Sequence, residues 1–136
     1  MSRSRRGLDP SWLRRAGRGT GRGPGPQGPQ LSEVYDIDSD FPGFRDAHRD
    51  NLRPSVVVRL VPSVRMLNLL TRTTDLGVEG VEHPPTPEWG LMLPGKFGRS
   101  PVQTLELGWF KHPLVDYLGD LDADTWSAVL TMWEDS

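Results

Sequence analysis

The 136-residue sequence contains no cysteine. Disulfides, thiolate zinc sites and a cysteine nucleophile are therefore excluded. Long apolar runs are also missing: hydrophobic residues make up only 35% of the chain. No segment approaches the ~20 consecutive apolar residues that a membrane-spanning helix needs. Near Met1 there is no apolar stretch of the kind a secretory leader carries, so a cytoplasmic protein is expected. Histidine is sparse, and His48, His83 and His112 lack metal-ligand spacing. No Walker loop is present. Gly17-x-Gly-x-Gly has no strand before it and no helix after it, so it fails as a nucleotide fingerprint. Neither a metal nor an organic cofactor is expected. The four aspartates Asp116, Asp120, Asp122 and Asp124 have the wrong ligand and glycine order for a calcium loop and fit a helix start better.

Glycine and proline are abundant, 15 and 13 residues, and they concentrate where the charge is one-sided. Residues 1–30 carry seven arginines and one acid (net +6), whereas residues 31–136 carry nine basic and 17 acidic groups (net −8). Residues 1–30 have too little apolar content to offset the entropy of ordering and are expected to form a disordered Arg/Gly/Pro-rich arm. Residues 31–136 form the folded body. The arm is either a plain solvated leader or a tail that contacts nucleic-acid phosphates.

Within the body, polar–apolar alternation over Ser32-Glu-Val-Tyr-Asp-Ile-Asp38 predicts a half-buried strand. Asp40 to Asn51 is a polar loop. Ser55-Val-Val-Val-Arg-Leu-Val61, dense in β-branched residues, predicts a second strand. A tight turn at Pro62-Ser63 leads to a third over Val64–Thr71, paired antiparallel with its predecessor. Val78–His83 reads as a short edge strand and Glu88–Ser100 as a connection. Val102–Phe110 reads as a further strand bent at Gly108, and Leu114–Leu118 as a last short one. Asp122 is a natural N-cap for a terminal helix whose Trp126, Val129, Leu130 and Trp133 share one face. Five or six short antiparallel strands with one C-terminal helix describe a mainly β protein, either a small barrel or a strongly curved sheet.

One constellation suits chemistry. In an antiparallel hairpin the start of one strand lies beside the end of the next, so Arg53 and Thr71 fall on one rim. The loop carrying Asp46, His48 and Asp50 is expected to overhang it. A guanidinium stabilises charge on phosphoryl oxygens, and a hydroxyl donates to a non-bridging oxygen. An imidazole or carboxyl group moves the protons. Asp46 and His48 are the acid–base candidates, and Arg49 and Arg72 are candidate substrate contacts. The competing reading is an ordinary strand end with a surface ion pair between Arg53 and Asp46 or Asp50.

The body from about Ser32 to Glu134 resembles the PemK/MazF family of toxin endoribonucleases. Ser32–Asp38 resembles that family's opening strand, Leu52-Arg-Pro-Ser-Val-Val-Val58 its Arg-Arg-Pro-hydrophobic strand, and Met66-Leu-Asn-Leu-Leu-Thr-Arg72 its third strand. Gly90-Leu91, Ser100-Pro-Val102 and Leu118–Trp126 follow in the family's order. The resemblance implies an SH3-like barrel, a homodimer, an RNA substrate and an antitoxin partner, with Arg53 and Thr71 as the catalytic pair. This sequence departs from the pattern in three places, one of them the link between the second and third strands, which is cut to Val61-Pro-Ser63. Gly43–Leu52 lacks the family's Glu, and Gln103 and Leu105 stand where some members carry an Arg and an acid. Two other functions remain compatible with the sequence: a non-catalytic barrel that binds a partner protein or nucleic acid, and a structural protein that dimerises through exposed Trp residues.

Overall fold

The computed structural model describes Pro24, residues 28–45 and residues 52–135. Most of the Arg-rich arm, and the loop positions Asp46, His48, Arg49 and Asp50, lie outside the described residues.

Six strands form one antiparallel sheet, β1 (Glu33–Asp38), β2 (Leu52–Val61), β3 (Met66–Thr73), β4 (Gly80–His83), β5 (Gly95–Glu106) and β6 (Val115–Asp120), followed by helix α1 (Ala123–Glu134). The spatial order is β4-β5-β3-β2-β1-β6, and the sheet curls into a half-barrel, as the mainly β reading predicts. Among the described residues no helix is long and apolar enough to cross a membrane.

Alternation along the strands creates two apolar layers. On one face Tyr35, Ile37, Val57, Leu67, Leu69, Leu105 and Val115 form a buried cluster, closed by Phe41 and Phe110. On the other, Val34, Val56, Val58, Leu70, Phe97 and Leu118 are covered by Leu121 and Val129, with Trp126, Met132 and Trp133 packed around them. The predicted helix stripe therefore reaches the core through Trp126, Val129 and Trp133, with Met132 beside them; Leu130 is half-buried at its margin. The Asp122 side chain caps the helix, accepting from the Thr125 amide at 3.1 Å and the Thr125 hydroxyl at 2.6 Å. These bonds stabilise its ionised form and hold its carboxyl below the usual range.

Three boundaries differ from the sequence reading. Val64 belongs to the 3-10 turn Pro62–Val64, and Arg65 closes the turn in the left-handed region at φ 56°. The strand predicted to run to Phe110 stops at Glu106 and gives way to a 3-10 turn over Leu107–Trp109. The largest difference is β5, which begins at Gly95, inside the expected connection. Its first four residues pair with β4. The register against β3 then slips between Leu70 and Arg72, so residues 98–101 bulge out of the β3 pairing, while Gly98 still pairs with Gly80 of β4. Gly95 is required there, because a Cβ at this position would lie 2.7 Å from the Arg72 guanidinium carbon.

Candidate functional site

The register decides which side chains share a face. Ser55 lies directly opposite Thr71, and Arg53 precedes Ser55 by two residues, so all three project from the same side of the sheet. Ser55 is buried, whereas Arg53 and Thr71 are half-buried. The Ser55 and Thr71 hydroxyls are 3.2 Å apart, and the Ser55 hydroxyl donates to the Arg53 carbonyl at 3.2 Å. Arg53 is thus the diagonal neighbour of Thr71, a Cβ separation of about 7–8 Å that a long guanidinium side chain spans easily. The register thus places Arg53 and Thr71 at diagonal positions on one side of the β2–β3 hairpin.

The bend in β5 leaves Thr71 without a paired residue on its outer side. A cation that the sequence does not single out is bound to β5 just beyond this bend. Arg45 donates from Nη2 to the Val102 carbonyl at 2.7 Å. Its backbone is clamped by Gln103, whose Oε1 accepts from the Arg45 amide at 2.8 Å and whose Nε2 donates to the Arg45 carbonyl at 2.6 Å. The described part of this loop, residues 39–45, is anchored. Phe41 is buried and Phe44 packs on the same cluster; the Phe41 amide donates to the Asp38 carbonyl and the Phe44 amide to the Phe41 carbonyl. Gly43 turns the chain between them at φ 87°. The two phenylalanines three residues apart anchor the loop, and Gln103 fixes Arg45 itself.

From β2 across β3 to the loop bonded to β5, this face therefore carries the Arg53 guanidinium, the buried Ser55 hydroxyl, the Thr71 hydroxyl and the Arg45 guanidinium. Such a row offers several N–H and O–H donors with two positive charges, the donor set that suits a phosphodiester. Gln103 and Leu105, both buried, contribute a latch and a core contact, with no charge.

Arg72 does not join the row. Alternation sends it to the opposite face, where it is buried. Its Nε donates to His83 Nδ1 at 2.9 Å, and its Nη2 reaches the carbonyls of His83 (3.3 Å), Pro84 (3.3 Å) and Leu93 (2.7 Å). His83 also stacks on Trp89 and meets Phe97 edge-on. Burial, aided by the Arg72 charge, pushes its pKa down to about 4. The imidazole is therefore neutral at pH 7, with Nδ1 as acceptor. The remaining candidates, Asp46, His48 and Arg49, lie outside the described residues.

Two further polar groups are structural. The Tyr35 hydroxyl donates to Glu33 at 2.8 Å and that of Tyr117 to Asp120 at 2.8 Å. Burial, then these carboxylates, raise both phenol pKa values. Asp36 and Asp116 face each other across β1 and β6, buried on the Arg72 side of the sheet. His112 Nδ1 lies 3.6 Å from the Asp116 carboxylate.

No protein-family model matches the chain, and no curated protein is similar enough to count as a relative.

Proposed function

We propose that this protein is a metal-independent endoribonuclease of the PemK/MazF toxin type, acting on single-stranded RNA in the cytoplasm. The observation that carries the reading is the common face of Arg53 and Thr71, with Arg45 at its margin. In the reaction the ribose 2′-oxygen bonds to the adjacent phosphorus and the P–O5′ bond breaks, leaving a 2′,3′-cyclic phosphate. The 2′-hydroxyl proton passes to a base and the 5′-oxygen receives one. Arg53 and Arg45 stabilise the charge that develops on the non-bridging oxygens. Thr71 turns its proton from Ser55 to a phosphate oxygen. Asp46 and His48 remain the acid–base candidates. The partners in this reading are an RNA substrate, a second copy of the chain and an antitoxin segment that occludes the same face.

A second reading is favoured by the uncharged Gln103 and Leu105 on β5: the face binds RNA phosphate without cutting it. One experiment separates the two. The purified full chain is incubated with single-stranded RNA in a chelating buffer. Cleavage by the wild type, falling by about 100-fold or more in Arg53→Ala, is the expected result. Equal cleavage by Arg53→Ala overturns the site. RNA binding that needs Arg53, with no cleavage by the wild type, establishes the binding module instead.

A further inference from the structure

The exposed apolar surface is unevenly spread. Leu76, Met92 and Leu93, exposed by 49%, 60% and 60%, all lie in the two connections that flank β4, the edge strand. Between these connections is a cavity of about 370 Å³ lined by Leu76, Glu82, His83, Pro84, Pro94 and Gly95. Its walls are held in place. The Leu93 carbonyl is fixed by Arg72, and the Asp75 carboxylate accepts from the Gly77 amide at 3.0 Å, shaping the turn that presents Leu76. Glu82 is the one carboxylate in the lining. Lys96, opposite it in the ladder, donates its ammonium to the Val78 carbonyl at 3.1 Å. Asp75 and Glu88 add negative charge in the flanking connections.

We propose that this cavity holds a segment of the same chain, Trp12-Leu13, with Arg14 and Arg15 resting against Glu82 and Asp75. Three observations select that occupant. Trp12-Leu13 is the one pair of adjacent large apolar residues before Gly28, and it is followed directly by two cations. The charge of the two regions is opposite, +6 for residues 1–30 and −8 for the body. The chain is also long enough. The described body begins beside β1, where the Gln30 amide donates to Glu33 at 2.7 Å, and β1 lies four strand steps from β4, about 19 Å along a flat sheet. Gly28 follows Trp12 by sixteen positions, a stretch that reaches roughly 50 Å when extended. An apolar pair seated on an apolar pocket removes both from water, and the arginines add charge pairing at the rim. The proposal does not depend on the nuclease reading.

The absence of cysteine makes the test direct. In the full chain, Leu13→Cys is combined with Leu76→Cys, and separately with Val64→Cys, an exposed position in the β2–β3 turn. Docking raises the local concentration of the arm at the cavity. Under mild oxidation the 13/76 pair is expected to close an intramolecular disulfide roughly tenfold faster than the 13/64 pair. Adding Glu82→Arg should slow the 13/76 pair alone. Equal rates for the two pairs overturn the proposal, and so does a product that is exclusively a covalent dimer.

Discussion

Thr71 and Arg72 are adjacent in sequence and belong to different parts of the molecule. Thr71 sits on the face with Arg53, Ser55 and Arg45, where the cations stay within reach of solvent. Arg72 sits on the other face, closed in by His83 and three carbonyls. Arg53 and Arg72 have the same chemistry and different roles. What separates them is the period-2 geometry of a strand. A buried guanidinium whose donors are matched is a structural element, whereas a half-buried one beside a hydroxyl and a second guanidinium is equipped to hold an anion.

The contrast breaks most sharply at Arg72. Replacing it with Met leaves the buried His83 Nδ1 and the carbonyls of His83, Pro84 and Leu93 without their donor, and should cost roughly 3 kcal/mol of stability. Denaturant unfolding measures this. Arg53→Ala, by comparison, is expected to move the unfolding free energy by about 1 kcal/mol or less.

The pH dependence should follow the same division. The folded pKa of His83, about 4, lies below the ordinary value near 6.5. The unfolded chain therefore binds the extra proton first as pH falls. The neutral histidine favours the fold above about pH 6.5, and that advantage is lost progressively down to about pH 4. The loss amounts to at most roughly 3 kcal/mol. Unfolding at a series of pH values should show this slope in the wild type, and His83→Gln should flatten it.

A smaller effect is expected at the margin of the cleft. Gln103→Leu removes both bonds to the Arg45 backbone and should cost roughly 2 kcal/mol. It should also loosen residues 41–45, read as faster hydrogen exchange at the Arg45 amide while the Arg72 cage stays protected.

Much of this arrangement was legible in the residues themselves. The β-branched run after Arg53-Pro54, the turn at Pro62 and the alternation up to Thr71 define the β2–β3 hairpin. Once the hairpin is set, the juxtaposition of Arg53 and Thr71 follows. The terminal helix was equally readable from Asp122 and the Trp126–Val129–Trp133 spacing. Arg72 reads with Thr71 because the two are sequence neighbours, although strand alternation separates them. The early start of β5 was hidden because Gly95 and Gly98 look like loop residues. They serve close packing against Arg72 and the end of β3, a tertiary demand that no local pattern expresses. Arg45 was missed for a related reason: it is placed by Gln103, which lies 58 residues away.

The most direct test of the central claim is an NMR titration with single-stranded RNA whose 2′-hydroxyls are methylated, which binds without being cut. The account predicts saturable shifts at the amides of Arg45, Arg53, Ser55 and Thr71, with Arg72 and His83 little changed. Saturation of the protein with those four amides unmoved and the shifts confined to α1 or β4 would contradict it.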